Sequence, residues 1–172
     1  RWKLQHALEE AHDVIVRTCR DYAAQFGRDH GGMLWSYRAD DADVLLAGMG
    51  SIANEATAAA DLLRDQGIRA GVVGIRVYRP FPRKEVRESL GRAKAILVFE
   101  KNISYGYEGA LSADIKAALY GSDIRTPVHN HIAGLGGRDV KARELADAVR
   151  SSLASIAEGA TERQVWLNCA AG

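Results

Sequence analysis

Few residues in this chain of 172 combine a type and a spacing that can do chemistry, and most of them lie between Arg79 and Asp139. Gly134-Leu135-Gly136-Gly137-Arg138-Asp139 is the nearest approach to a phosphate loop. Its glycines let successive backbone N–H groups converge ahead of a helix N-terminus, and a phosphate or carboxylate can rest there beside Arg138. The alternative is a tight turn in which Asp139 caps a helix starting near Val140, filling the anion's place with its own carboxylate. The spacing is GxGG, so neither the dinucleotide fingerprint nor the P-loop pattern applies. Glu100, followed by Lys101 and Asn102, is a candidate general base if a substrate lies beside it, and otherwise a hydrogen-bond partner for a neighbouring loop. Lys101 is a candidate for an ion pair with another subunit.

Three other groups carry weaker chemistry. Arg79-Pro80-Phe81-Pro82 fixes a rigid, extended exit from a strand, with Pro82 able to start the next helix. Phe81 there either packs on the core or is presented to a partner, and Arg76 and Arg79 can hold a carboxylate. His129 and His131, two apart on a strand, share one face, but no third ligand is spaced to complete a zinc site. They read as a solvated or hydrogen-bonded pair. Gly48-Met49-Gly50-Ser51 lacks the GxSxG spacing of a nucleophile elbow and reads as a turn with Ser51 as helix N-cap.

The elements that position these residues follow from apolar periodicity. Leu4, Leu8, Ala11, Ile15, Cys19, Tyr22 and Phe26 recur at spacings of three and four, predicting a long amphipathic helix over residues 3–26 that ends at Gly27. Met33–Tyr37 is a short strand candidate. Strand–loop–helix units follow, with strands at Val44–Ala47, Val72–Val77, Ala95–Phe99 and Val128–Ile132. Continuous apolar runs alternating with helical patterns predict a parallel sheet joined by right-handed crossovers, an α/β fold. The candidate loops then lie together at the carboxyl ends of the strands, where such folds carry their functional surface. Residues 158–172 show no clear period; Val165-Trp166-Leu167 either packs as a small cluster or docks on another polypeptide.

Composition narrows the function. Lysine plus arginine number 23 against 22 acids, so the net charge of +1 supplies no field for nucleic acid or an anionic membrane. Two cysteines, Cys19 and Cys169, make a disulfide framework or a metal cluster built by this chain alone unexpected. No apolar run reaches the roughly 20 residues that span a bilayer. A cytoplasmic location is the expectation, as is that the chain, opening at Arg1, continues a longer polypeptide through a connector helix.

Taken in order, the RPFP exit, the EKN segment with Gly106-Tyr107-Glu108-Gly109-Ala110-Leu111, and GLGGRD resemble the C-terminal part of the alpha subunit of 2-oxoacid:ferredoxin oxidoreductases of the pyruvate:ferredoxin oxidoreductase type. The resemblance runs from about Leu4 to about Val149. It implies a transketolase C-terminal-domain-like architecture: three α/β/α layers and a five-stranded, mostly parallel sheet with Met33–Tyr37 antiparallel. The implied layout is a connector helix over 1–30, the α/β domain over 31–157 and an unassigned tail over 158–172. The implied reaction converts a 2-oxoacid and coenzyme A to an acyl-CoA and carbon dioxide, reducing ferredoxin with thiamine diphosphate, Mg2+ and iron–sulfur clusters. This chain lacks the GDG thiamine motif and cysteine clusters, so it is expected to be a non-catalytic assembly domain with no cofactor of its own. Pyrimidine-binding, thiamine-diphosphate-binding, gamma and ferredoxin-like domains or subunits are the implied hetero-oligomeric partners. From the residues themselves, the candidate anion or partner contacts are Gly134, Gly136, Gly137, Arg138, Asp139, Glu100, Lys101, Arg79 and Phe81. A free-standing anion- or nucleotide-binding module, and the equivalent domain of a transketolase or 2-oxoacid dehydrogenase, are the competing readings.

Overall fold

A computed structural model describes residues 1–168; Cys169 and the end of the tail lie outside the described residues. The order is α1 (Trp2–Phe26), β1 (Leu34–Tyr37), β2 (Val44–Met49), α2 (Gly50–Arg64), β3 (Ala70–Ile75), α3 (Arg83–Leu90), β4 (Ala95–Glu100), α4 (Ala110–Leu119), β5 (Val128–Ile132), a 3-10 turn (Leu135–Gly137), α5 (Ala142–Ala157) and β6 (Glu162–Trp166). The strands form one sheet in the order β1-β3-β2-β4-β5-β6, parallel throughout except for β1 against β3. Strands β3, β4 and β5 are buried along their whole length, which is why their sequences are continuous runs and not alternations.

Two apolar layers sandwich this sheet. On one face α2 and α5 cover Leu46, Leu97 and Phe99 with Ala56, Ala60, Leu63, Leu145 and Val149. On the other, α3 and α4 cover Leu45, Val73, Ile96 and Val98 with Val86, Leu90, Leu111 and Ile115. The three-layer expectation and the antiparallel β1 are borne out. At the β1 edge Trp35 lies opposite Gly74, and its indole fills the space that a Cβ at Gly74 would occupy.

The expected five strands are six, because residues 162–166 join the sheet as β6 beside β5. Four of its five side chains are exposed, so it lacks the apolar face by which the other strands announce themselves. Its approach also departs from the expected handedness. The chain moves from β2 to β3 over the α2 face, then in the opposite direction to β4 and β5 over the α3/α4 face, all crossovers of one hand. From β5 to β6 it moves in that second direction but through α5, on the α2 face, so the last crossover has the opposite hand. Such connections are rare because strand twist disfavours them. Here α5 packs against α2, and β6 is tied down by other means, described below.

Helix α1 stands apart. It ends at Gly27 in the left-handed region (φ 66°), and none of its residues is fully buried. It meets the domain through Ile15 and Val16 and through a 2.6 Å contact between His12 Nε2 and Glu85. No described helix is long and apolar enough to cross a membrane.

Candidate functional site

The carboxyl ends of the parallel strands gather the predicted loops, and Glu100, the last residue of β4, is their anchor. Its side chain is buried. Oε2 accepts the Leu111 N–H at 2.8 Å, and Oε1 accepts the Ser112 N–H at 3.0 Å and Asn130 Nδ2 at 2.7 Å. Asn130 Oδ1 takes the Gly109 N–H at 3.1 Å and Asn102 Oδ1 the Ala110 N–H at 2.9 Å. All four N–H groups that a helix start leaves unpaired are thus satisfied at α4, and a carboxylate occupies the positive end of the helix. Gly109 is required for close approach: a Cβ there would stand 2.0 Å from the Glu100 carboxyl carbon. Burial raises the Glu100 pKa above the usual carboxylate range, opposed by the donors around it. Of the two expectations for Glu100, the structure realises the hydrogen-bonded one.

Beside it, Glu108 links α4 to β6. Its Oε2 accepts the Ser112 hydroxyl at 3.0 Å and Lys116 Nζ at 2.8 Å, and Lys116 reaches Glu162 of β6 at 3.1 Å. The amide of Gln164 donates to the Tyr107 carbonyl at 3.1 Å. These bonds fasten β6 to the EKN loop and α4 despite its polar side chains.

Lys101 is exposed and lies where three loops meet. Its ammonium donates to Ser51 Oγ at 3.2 Å, and its stem passes over Gly134. Ser51 is not the N-cap expected for it; α2 begins at Gly50, whose φ of 57° makes the turn. In the glycine loop, Gly134, Gly136 and Gly137 all adopt positive φ around the 3-10 turn. Arg138 donates to the Asn168 carbonyl. Asp139 does not cap a helix near Val140: it pairs with Lys141, which draws its carboxyl below the usual range. Helix α5 starts at Ala142 instead, and its amides are met by Glu55 (Ala142 N–H, 2.7 Å) and Glu144 (Lys141 N–H, 2.9 Å).

The RPFP exit contains a cis Arg79–Pro80 bond, not the fully extended path expected, and Pro82 precedes α3 instead of opening it. Arg79 holds Asp114 of α4 at 2.8 Å while its guanidinium lies 4.1 Å from the Tyr78 ring. Phe81 is half-buried against the α3/α4 core, edge-on to Tyr78. Arg76 has no carboxylate partner among the described residues.

His129 and His131 share a face, as expected, but they are buried and not solvated. His131 stacks on Phe99, its Nε2 lies 2.9 Å from Ser152 Oγ, and burial pushes its pKa down to about 4. No group of three metal-ligating side chains is assembled among the described residues. Asn130, Asp114 and Glu55 are hydrogen-bond or ion-pair partners of these loops that the sequence did not single out. Asn102 and Glu108 lay inside the EKN and Gly106–Leu111 segments, with no role assigned to either.

Residues 42–145 match the family described as pyruvate:ferredoxin oxidoreductase core domain II. The chain is 39% identical over 165 residues to ketoisovalerate oxidoreductase subunit VorA of Pyrococcus abyssi, a match covering 96% of this chain and 42% of that one. It is 35% identical over 150 residues to pyruvate synthase subunit PorA of Methanothermobacter thermautotrophicus, covering 87% and 38%. The chain therefore spans about two fifths of the length of these curated relatives. Among solved structures, a 2-oxoglutarate:ferredoxin oxidoreductase from Magnetococcus marinus aligns with a TM-score of 0.56 at 19% identity, over 77% of this chain and 21% of that one. A split-gene transketolase aligns at 0.55 and 22%, over 70% and 41%. These two share the fold.

Proposed function

The chain belongs to the pyruvate:ferredoxin oxidoreductase core domain II family, and we propose that it is a structural and assembly domain of a thiamine-diphosphate-dependent 2-oxoacid:ferredoxin oxidoreductase. The whole enzyme on this reading joins a 2-oxoacid to coenzyme A, releasing carbon dioxide and reducing ferredoxin, in the cytoplasm. What carries the non-catalytic role is the fate of Glu100, whose two oxygens are consumed by α4 amides and Asn130. A carboxylate buried at a helix start, with donors on both oxygens, is engaged in holding that start and not turned toward a substrate.

The residues present do not fit the enzyme's cofactors. Glu100, Glu55 and Glu144 place carboxylates at the starts of α4 and α5, where a diphosphate would need donors. Cys19 is the one cysteine among the described residues. The thiamine diphosphate with its Mg2+, the coenzyme A and the iron–sulfur clusters are accordingly assigned to partner domains or subunits. For this chain we assign partner contact to Lys101, Arg138, Asp139 and the Gly134–Gly137 turn, with Arg79 and Phe81 bracing the adjacent RPFP loop. Residues 1–30 serve as connector and 31–157 as the α/β domain; β6 extends that domain into what was the unassigned tail.

Co-expression with the neighbouring reading frames tests this. The chain alone, given 2-oxoacid, coenzyme A and thiamine diphosphate, reduces no viologen acceptor, and it co-purifies with thiamine-binding and ferredoxin-like subunits. Lys101→Glu with Arg138→Glu lowers that recovery while leaving the circular dichroism spectrum intact. Recovery of the chain free of both subunits overturns the reading.

A further inference from the structure

Helix α1 is held to the rest of the chain by little. None of its residues is fully buried, and Ile15 and Val16 make its apolar contact with the α3/α4 side of the core. Val16, Cys19 and Arg20 also form one side of an open cleft of about 690 Å³, with Trp35 of β1 and Glu88 of α3 among its other walls. Among the described residues, one hydrogen bond or ion pair joins α1 to this body: the 2.6 Å contact between His12 Nε2 and Glu85 Oε1 of α3. The chain then leaves the helix through Gly27 and Gly32, both left-handed, where even a Cβ would meet no atom within 4 Å. An element with so few buried contacts lies at the low-stability end of a fold and can open by itself.

The one polar tie runs through a group that titrates. His12 lies between two carboxylates, with Nε2 on Glu85 and Nδ1 at 3.1 Å from Asp13 Oδ1. An ionised carboxylate only accepts, and a neutral imidazole has a single N–H, so the imidazolium alone can donate to both. The other charges nearby are engaged elsewhere or lie across the cleft. On α1, Glu9 takes Gln5 and His6; on α3, Glu88 pairs with Lys84; Asp29 accepts the Gly31 N–H; Arg20 and Arg76 line the cleft. We infer that α1 is a pH-sensitive arm, latched on α3 by the Glu85 carboxylate when His12 carries its second proton and released about the Gly27–Gly32 segment when it does not. Asp13 travels with α1 in either position, so Glu85 alone couples the proton to docking. The hydrogen bonds to Asp13 and Glu85 hold the His12 pKa above its ordinary 6.5, against partial burial. The latch is therefore closed at pH 6.5 and below, and weakens as pH rises through the raised value. It is independent of the assembly role proposed above, which concerns the carboxyl-end loops.

Spin labels at Arg17→Cys and Arg92→Cys, two exposed positions, read the arm by double electron–electron resonance in the full chain carrying Cys19→Ser and Cys169→Ser. At about pH 6 the distances should form one narrow population. At about pH 8 a second, broader population should be about threefold larger than at the lower pH, the scale of a partly exposed ion pair. His12→Gln keeps a neutral donor for Glu85 and should give one distribution at both pH values, as should Glu85→Gln. The other histidines near this end, His6 beside Glu10 and His30 beside the Tyr22 ring, serve as controls. His6→Gln and His30→Gln should leave the pH response in place. Three results overturn the inference: a distribution that pH does not alter, a response that persists in His12→Gln or Glu85→Gln, or a response lost in His30→Gln. None of them touches the recovery of partner subunits, so the assembly reading stands or falls separately.

Discussion

At the scale of single residues, Glu100 shows how a group placed for catalysis becomes architecture. Glu100→Gln keeps the shape but replaces one acceptor oxygen with a donor, and every oxygen position there faces an N–H. The substitution should cost about 2–3 kcal/mol, since it leaves a buried donor facing a donor, and denaturant titration would measure it. Gly109→Ala, whose Cβ would collide with the Glu100 carboxyl, should destabilise by about 1–3 kcal/mol through overpacking. A smaller loss for Gly109→Ala than for an exposed control such as Ala7→Ser would refute the close-packing account. The segment Glu100-Lys101-Asn102 was legible as a special loop, but its purpose was not. The amides that Glu100 serves lie 11 and 12 residues onward, and Asn130 lies 30 onward on another strand. Periodicity and short motifs carry no record of such distant hydrogen bonds.

At the scale of elements, the strands with apolar runs were readable and the strand without one was not. Val44–Met49 and Ala95–Glu100 are buried on both faces and declare themselves by composition. Glu162–Trp166 is mostly exposed and is held by backbone pairing to β5 and by the Glu108–Lys116–Glu162 chain. Sequence patterns detect burial, and β6 has little. Its backbone amides should therefore exchange with deuterium at least tenfold faster than those of β4, as expected of a unit with few buried contacts. Equal protection of the two strands would show β6 to be integral to the core. At the other edge the fit is tight: Gly74→Ala must displace the Trp35 ring, with a cost of about 1–3 kcal/mol and a red-shifted tryptophan emission.

At the scale of the whole molecule, the buried histidines couple stability to pH. The folded-state pKa of His131 is depressed to about 4 from an ordinary value of 6.5, so the unfolded chain takes up its proton first. Its contribution is intact above pH 6.5 and is lost as pH falls toward 4, at up to about 1.4 kcal/mol per pH unit. Glu100, with its pKa raised, acts in the opposite sense, since protonation relieves its buried charge. A comparison isolates the histidine: His131→Phe with Ser152→Ala, set against Ser152→Ala alone, should flatten the loss of stability between pH 6.5 and 5. Parallel pH profiles for the two would remove His131 from the account. The addition of β6 by a crossover of reversed hand has a further consequence for how the protein survives in a crowded solution. Without it, β5, buried along its length and carrying both histidines, would present bare N–H and C=O groups to any passing strand. With it, the sheet ends in Glu162, Arg163 and Gln164, a charged and polar rim that protects the fold from edge-to-edge aggregation.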